Sequence, residues 1–277
     1  YRGPVLDSRT LVIPVGQSGE TADTLGAAIL AKSLGAKIVA LCNVPGSQIT
    51  RIADKTILMK AGLEVSVPST KTFTNAVVLL RLLALRLAQE RKTIKAKKFS
   101  KSVDELFRLP GLINQCLELN RRMPGIVTDY LQYGSFLFIG RGMMESIARE
   151  ASLKLKEVAY VHGEGMSAAE LKHGPIALVD EDTPVVALVL KDDLYEKMVG
   201  NVSQVKSRGG KVLAVLTDGD ESMATKVDEV LWVPSCDADV HPIIAVIPLQ
   251  LFAFHYGVAA GYNVDQPRNL AKTVTVE

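Results

Sequence analysis

Cysteine is scarce in this sequence, and its three residues, Cys42, Cys116 and Cys236, stand far apart. An odd number of widely spaced cysteines indicates neither a disulfide framework nor a CxxC metal site. We therefore expect a reducing, cytoplasmic environment, with each cysteine acting as a small buried hydrophobic residue rather than a nucleophile. The histidines also lack ligand spacing, so a metal site is not expected.

An excess of charge is missing as well. The net charge is only +2, which gives no reason to expect a nucleic-acid partner. The longest apolar stretch, Ile243–Phe254, contains Pro248 and Gln250, and it reads as too short and too interrupted to span a membrane. The first ten residues contain no recognisable signal peptide. With 48% hydrophobic and 22% charged residues, the composition is that of a soluble globular protein with a sizeable core.

Short apolar runs alternate with helical patterns along the chain. Leu11–Val15 predicts a buried parallel strand, and Thr21–Leu34 predicts a helix that Gly35 ends. Further elements of the first half are predicted as strands at Lys37–Val44 and Thr56–Met59 and as a long apolar helix at Thr74–Ala88.

The second half repeats this plan at a fixed offset. Ser33–Asn43 aligns without gaps on Ser207–Thr217, and at the same spacing Asp54 falls on Asp228. The sequence therefore predicts an α/β fold of two doubly wound, flavodoxin-like parallel-sheet subdomains related by an internal repeat, with three α/β/α layers.

One element of the second half has no counterpart in the first. The strand-loop-helix pattern of Ser135–Ala151 would correspond to residues ahead of Tyr1. We expect the first half to lack roughly 40–50 residues, because repeats are near-equal units.

The predicted divisions are a first subdomain at 1–90, a helical connector at 91–125, a second subdomain at 126–264 and a C-terminal tail at 265–277. The basic run inside the connector is interpreted as a solvated segment.

A loop between the first predicted strand and its helix is suited to binding an anion. The carboxyl end of a parallel strand is where such sheets bind ligands, and a helix N-terminus offers backbone N–H groups and partial positive charge. Glycines, hydroxyls and an amide follow one another at Gly16, Gln17, Ser18, Gly19 and Thr21. Without a GKS/T lysine or a full GxGxxG, no nucleotide cofactor is expected, and a phosphate monoester fits better.

The alternative for this loop is an ordinary helix cap made by Ser18 or Thr21. The loop alone leaves the two interpretations equal. Its counterpart in the second half, Leu190–Asp193, lacks the glycines and hydroxyls and carries acids instead. This difference favours a specialised first loop.

Two further places carry candidate catalytic residues. Lys154 and Glu157 share a helix face, as either a surface ion pair or a general base tuned by a cation. Ser167–Glu170 predicts a capping box on a short helix that ends at Gly174. His173 would then lie at the helix C-terminus, where it caps the dipole or takes part in catalysis.

The C-terminal tail carries a candidate lysine. Pro267 suits the first position of a short helix, after which the β-branched residues predict an extended segment. Lys272 is flanked by apolar and small residues, which suits a desolvated reactive amine. The alternative is a solvent-facing terminal lysine.

Six segments together resemble the isomerase domain of the glutamine:fructose-6-phosphate amidotransferases, a domain built from two SIS subdomains. These segments are Gln17–Thr24, Cys42–Ser47, Ser69–Thr74, Leu153–Glu157, Ala169–Leu178 and Val264–Glu277. The resemblance covers essentially the whole chain, and its most specific parts are ELKHGP and DQPRNLAK.

The resemblance implies a homodimer that converts fructose 6-phosphate to glucose 6-phosphate, and to glucosamine 6-phosphate when a glutaminase domain or another source supplies ammonia. It implies a proton-transferring base at Glu157, a Schiff-base lysine at Lys272 and Lys154 beside them. It implies that His173 opens the sugar ring and reaches into the partner subunit's site. Sugar-phosphate contacts are implied at Gly16, Gln17, Ser18, Thr21, Val67, Ser69 and Ala271. Neither a nucleic acid nor a membrane is expected as a partner.

Departures from the family pattern keep a second function open. Gly16 stands where the family has a serine, so one phosphate hydroxyl is missing, and Ser66 and Pro68 replace small residues. No glutaminase domain is present in the sequence. The alternative function is a non-catalytic sugar-phosphate-binding or regulatory module, which would not need the three catalytic candidates. Another phosphosugar isomerase or deaminase is disfavoured by the DQPRNLAK tail.

Overall fold

The computed structural model describes residues 3–275 of the protein, which fold into two compact units. The first unit ends at Leu87 and includes the segment from Arg268 onward, and the second spans Ala88–Pro267. The ends of the predicted first subdomain and of the predicted tail lie outside the described residues, namely Tyr1, Arg2, Val276 and Glu277.

The first unit contains a small parallel sheet. Its strands are β1 (Leu11–Val12), β2 (Val15–Gly16), β3 (Lys37–Cys42) and β4 (Lys55–Leu58), and its helices are α1 (Ala22–Ser33), α2 (Gln48–Ile52) and α3 (Lys71–Glu90), the last of which runs past the end of the unit. Leu11 faces Lys37 and Val15 faces Leu41, so β1 and β2 share one register on β3. They are two halves of the predicted strand, interrupted because Pro14 has no N–H to donate.

The second unit contains a five-stranded parallel sheet with helices on both faces. Its strands are β5 (Ser135–Gly140), β6 (His162–Ser167), β7 (Val185–Val189), β8 (Val212–Thr217) and β9 (Glu229–Val233), in the order β6-β5-β7-β8-β9. Its helices are α4 (Ala96–Leu117), α5 (Met123–Thr128), α6 (Met143–Ala159), α7 (Tyr195–Lys206), α8 (Glu221–Ala224) and α9 (His241–Ala259), with 3₁₀ turns at Glu118–Arg121, Glu170–His173, Pro175–Leu178 and Ala238–Val240. Every residue of β7 and β8 is buried, and the most exposed of them, Thr217, keeps only 4% exposure, as a sheet covered on both faces requires.

The predicted internal repeat is confirmed down to individual hydrogen bonds. Asp54 accepts the backbone N–H of Ile38 at 2.8 Å, and its counterpart Asp228 accepts that of Val212 at 2.6 Å. In both halves this aspartate follows a short helix and ties the strand after it to the start of the strand before that helix. The two halves therefore share a folding plan and not only a sequence pattern.

The two halves differ at one sheet edge. In the second unit β5 covers the edge of β7, whereas no described strand of the first unit takes that place beside β1 and β2. Leu11 and Val15 are consequently 44% and 42% exposed, while their counterparts Val185 and Val189 are fully buried.

Among residues 3–275, two helices are long and apolar enough to cross a membrane by length and composition alone, Lys71–Glu90 and Ala238–Ala259. In the second of these, 67% of the most apolar window is buried within the protein, against 22% in the first. The expectation that Pro248 interrupts the apolar stretch is wrong, because Pro248 lies inside α9. The mostly buried helix is typical of the core of a soluble protein.

Two local predictions are also wrong. Ser167 does not cap the short helix, which begins after Ala169 without a side-chain cap; the Ser167 hydroxyl instead accepts the N–H of Ala169 at 3.3 Å. Pro267 does not open a helix, because the chain there makes a turn in which Asn269 adopts a positive φ of 63°. Asparagine adopts a positive φ more readily than most other residues do.

Candidate functional site

The loop of Gly16–Thr21 connects β2 to α1, and hydrogen bonds from neighbouring backbone segments hold it in place. The carbonyl of Gln17 accepts the N–H of Asn43 at 3.2 Å, and the carbonyl of Gly19 accepts the N–H of Ile49 at 3.1 Å. Glu20 adds a third tie, since its carboxylate accepts the N–H of Gln48 at 2.9 Å. The loop therefore has a fixed conformation before any ligand arrives.

The ordinary helix cap does not account for this loop. Thr21 occupies the capping position of α1 but makes no side-chain cap hydrogen bond, and the Ser18 hydroxyl accepts the N–H of Glu20 at 3.2 Å instead. The hydroxyl of Ser18 keeps its proton available for donation. Both side chains can therefore serve an external acceptor such as a phosphate oxygen.

Gly19 is required by close packing as well as by backbone conformation. Its φ is +72°, and a Cβ at this position would collide with the side chains of Ser47, Cys42 and Ile49. Gly46 nearby has a similar φ of +77°, but an added Cβ there meets no atom within 4 Å. A substitution at Gly46 therefore adds backbone strain alone, whereas one at Gly19 adds strain and steric collision.

We expect Gly19→Ala to lower the free energy of unfolding by about 2–4 kcal/mol, since overpacking adds to the strain of a positive φ. Gly46→Ala is the matched control and should lose about 1 kcal/mol from strain alone. Urea denaturation of both variants measures the difference. Equal losses in the two variants would contradict the packing argument.

A second segment of the first unit carries two more predicted ligands, Val67 and Ser69. Glu64 is 6% exposed and accepts hydrogen bonds from Thr70 and Thr72, which lie at the start of α3. The donors are Thr70 N at 3.2 Å, Thr70 Oγ1 at 3.1 Å, Thr72 N at 3.0 Å and Thr72 Oγ1. Burial by itself raises the pKa of the Glu64 carboxyl, but these hydrogen bonds outweigh burial and lower the pKa below its usual value.

The C-terminal tail packs onto both of these segments. The Nζ of Lys272 donates to the carbonyls of Ser66 at 2.7 Å and Val67 at 3.2 Å. Two residues later, the carbonyl of Val274 accepts the N–H of Ala22 at 3.1 Å, at the start of α1. Lys272 is therefore half-buried and oriented, which is against its interpretation as a solvent-facing terminal lysine. Ala271, which precedes it, is exposed.

The second unit holds Lys154 and Glu157 on α6. The Nζ of Lys154 is 2.5 Å from the Glu157 carboxylate and 3.4 Å from that of Glu150, one turn earlier. Lys154 is 4% exposed, so this pair is not the surface ion pair that was one of the two interpretations of the sequence. Burial raises the pKa of Glu150, an effect that the charge of Lys154 opposes.

The arrangement on α6 is suited to proton transfer. A buried ammonium between two carboxylates compensates their charge, and either carboxylate can accept a proton when a reacting group approaches. The Glu157 side chain is 19% exposed, so it is accessible from outside the core.

His173 ends the 3₁₀ turn of Glu170–His173, and Gly174 follows it at a φ of +142°. The predicted end of the helix at this glycine is correct. His173 is exposed on the surface of the second unit.

The structure thus gathers the predicted residues in two groups. The first unit holds Gly16, Gln17, Ser18, Thr21, Val67, Ser69, Ala271 and Lys272, and the second holds Lys154, Glu157 and His173. Sequence reasoning missed Glu64, Asn43 and Glu150. Of these, only Glu150 left a signal, because it lies four residues before Lys154 on a predicted helix.

Comparison with known proteins relates the fold and the site to a family. A family profile for the SIS domain matches residues 2–86 and 130–260. Glutamine–fructose-6-phosphate aminotransferases (isomerizing) from Bacteroides thetaiotaomicron and Thermus thermophilus are 45% and 44% identical to this chain over all 277 residues. The chain covers 45% and 46% of those two proteins, so it spans about half the length of the curated relatives it matches.

Solved structures agree with this relationship. The C-terminal domain of glucosamine-fructose-6-phosphate aminotransferase from Francisella tularensis superposes with a TM-score of 0.91 at 35% identity, covering 96% of this chain and 75% of that one. A glucosamine-6-phosphate deaminase from Thermotoga maritima superposes with a TM-score of 0.78 at 21% identity, covering 98% of this chain and 77% of that one. The second likeness shows the fold alone.

Proposed function

This chain belongs to the SIS domain family, alongside the C-terminal domain of glucosamine-fructose-6-phosphate aminotransferase, and on that premise we propose that it is a sugar-phosphate isomerase domain acting on fructose 6-phosphate. The product is glucose 6-phosphate, or glucosamine 6-phosphate when ammonia is delivered.

The observation that carries the proposal is the position of Lys272. Its ammonium contacts the carbonyls of Ser66 and Val67, and Val274 contacts the start of α1. Two residues of chain span at most about 7 Å, so the backbone of Lys272 lies near the helix end at which we place the phosphate. An amine held in this way supports a reacting lysine, and trapping of an imine distinguishes it from an ammonium that only binds the phosphate.

In the proposed reaction each side chain has one task. His173 transfers the proton that opens the sugar ring, and Lys272 forms an imine with C2 of the open-chain ketose, releasing water. Without ammonia, water hydrolyses the imine and returns the C2 carbonyl and the free lysine. Glu157 then moves the proton from C1 to C2 through an enediol, which gives glucose 6-phosphate. The phosphate loop holds the sugar in register through these steps.

Ammonia directs the same imine to an amino sugar instead. It displaces Lys272 from C2 as a new imine, and the same proton transfer by Glu157 gives the 2-amino aldose. The net change is fructose 6-phosphate plus ammonia to glucosamine 6-phosphate plus water.

The test is an assay of the purified chain with fructose 6-phosphate, with and without ammonium. We expect glucose 6-phosphate in both cases and glucosamine 6-phosphate with ammonium only. Tight binding of the sugar phosphate without either product would overturn the enzyme and leave a binding or regulatory module.

Gly16 offers a way to strengthen the proposed phosphate site. A Cβ added there meets nothing closer than 3.8 Å, the backbone N of Gly19, so a serine fits without strain. We expect Gly16→Ser to lower the Kd for fructose 6-phosphate about 2- to 10-fold, the effect of one added hydrogen bond.

Gly134→Ser is the matched control, because a Cβ there meets no atom within 4 Å and Gly134 lies in the second unit. Isothermal titration calorimetry measures both Kd values. An unchanged Kd in Gly16→Ser would place the phosphate away from this residue.

We also propose a homodimer in the cytoplasm, in which His173 serves the partner subunit's site, with ammonia coming from a glutaminase domain or a separate source. The exposure of His173 supports this arrangement, because an exposed ring can reach another subunit. Sedimentation velocity measures the oligomeric state, and a monomer at micromolar concentration would contradict it.

A further inference from the structure

Glu64 has no role in the reaction as proposed, yet it is one of the few charged side chains that the first unit buries. Burying a carboxylate is unfavourable unless hydrogen bonds replace its hydration. Glu64 receives four, all from Thr70 and Thr72. Two come from backbone N–H groups at the start of α3, where the helix dipole also favours a negative charge.

The chain between Glu64 and Thr70 forms a closed bend as a result. Glu64 binds the end of its own segment, so residues 65–69 lie in a loop whose two ends are joined by hydrogen bonds. Ser66 and Val67 in this loop direct their carbonyls at Lys272, and Pro68 is buried beneath them. These two carbonyls therefore belong to the bend that Glu64 closes.

The start of the bend is tied to the phosphate loop. The side-chain amide of Asn43 donates to the carbonyl of Gly62 at 2.8 Å and accepts the N–H of Ala61 at 2.9 Å. The backbone N–H of the same Asn43 donates to the carbonyl of Gln17 at 3.2 Å. One residue therefore links the phosphate loop to the turn that leads into Glu64.

These contacts form a ring of hydrogen bonds around the proposed phosphate site. It runs from the phosphate loop through Asn43 to the bend, from the bend to Lys272, and from Val274 back to Ala22 at the start of α1. Glu64 is the only charged acceptor among these links, and charge-assisted hydrogen bonds are about twice as strong as neutral ones.

We propose that Glu64 is a positioning residue: by closing the bend of residues 64–72 it holds Ser69 toward the substrate phosphate and the Ser66 and Val67 carbonyls toward Lys272. This inference rests on the proposed function, because it assumes that a sugar phosphate binds the first unit. Glu64 itself does not touch the substrate. A merely structural cap of α3 would instead affect only stability.

Glu64→Gln tests the proposal because the amide keeps the shape but replaces one acceptor oxygen with a donor that faces a threonine N–H. Asp54→Asn is the matched control, since Asp54 is also a carboxylate of the first unit that accepts a backbone N–H, from Ile38 at 2.8 Å. The readouts are the Kd for inorganic phosphate and for fructose 6-phosphate, measured at a temperature where circular dichroism shows all variants folded.

We expect Glu64→Gln to raise both Kd values at least 10-fold and Asp54→Asn to change neither by more than 2-fold, although both lower the unfolding temperature. Thr70→Val is a milder second variant that removes one donor to Glu64 and stays interpretable if Glu64→Gln does not fold. It should raise both Kd values about 3-fold.

The outcomes separate the two proposals. Unchanged Kd values in Glu64→Gln, or in Thr70→Val when the first variant does not fold, would overturn the positioning role while leaving the function intact. A wild-type chain that binds neither ligand would overturn the proposed function first. A rise in Kd that Asp54→Asn shares equally would assign the effect to general destabilisation and also overturn the positioning role.

Discussion

Glu157→Gln should abolish isomerisation of fructose 6-phosphate while leaving its binding nearly unchanged. Removal of a general base lowers rates by about 10²- to 10⁴-fold, and the amide cannot accept the C1 proton. The fold should tolerate the change, because Lys154 retains the carboxylate of Glu150 at 3.4 Å and is not left as an unpaired buried charge. The measurements are turnover of fructose 6-phosphate and its Kd by calorimetry.

Glu145→Gln is the control for this variant. Glu145 lies on the same helix, α6, and pairs with Arg149 at 2.9 Å near the surface. It should keep full turnover, since an exposed ion pair contributes little to stability. Turnover that survives in Glu157→Gln would show that another residue is the base.

Lys272→Arg should remove the covalent step. Arginine keeps the positive charge and the donors that face the carbonyls of Ser66 and Val67, but its guanidinium does not form an imine and stays protonated. We expect turnover of fructose 6-phosphate and ammonium to glucosamine 6-phosphate to fall by at least about two orders of magnitude, as for loss of a proton-transferring group, with the Kd for fructose 6-phosphate changed much less.

Chemical trapping tests the same residue directly. Borohydride reduces an imine to a stable secondary amine, so the wild-type chain incubated with fructose 6-phosphate should gain one sugar phosphate on Lys272, detected by peptide mass spectrometry. Lys55→Arg, an exposed lysine of β4, should label as the wild type does, and Lys272→Arg should not. An adduct on a different lysine would refute the assignment.

Most of the fold was readable from local patterns. Most strands of both halves are short apolar runs because parallel strands buried on both faces exclude polar residues. The edge strand β6, with the sequence HGEGMS, has no such pattern, and the sequence did not predict it. Asp54 and Asp228 fall at matching positions because each makes the same bond to the strand before it. Local predictions were wrong where a residue type is compatible with two structures. Ser167 fits a capping box but accepts the N–H of Ala169, and Pro267 fits a helix start but begins a turn.

For the phosphate loop, the structure separates two interpretations that the sequence left open. Its residue types could not separate an anion site from a helix cap. The structure shows that Thr21 makes no cap hydrogen bond and that Ser18 bonds within the loop. It also shows that one N–H of the helix start is already taken, because Ala22 donates to Val274.

Burial patterns and family-specific segments are properties of contiguous stretches, so the repeated α/β plan, the family and the candidate residues follow from the order of the amino acids. The contacts that hold these residues are visible only in the folded chain. Lys272 meets the carbonyl of Ser66 across 206 residues of sequence, and Glu64 closes its bend on threonines six and eight positions ahead. Such contacts depend on the path of the folded chain, and no local periodicity records them.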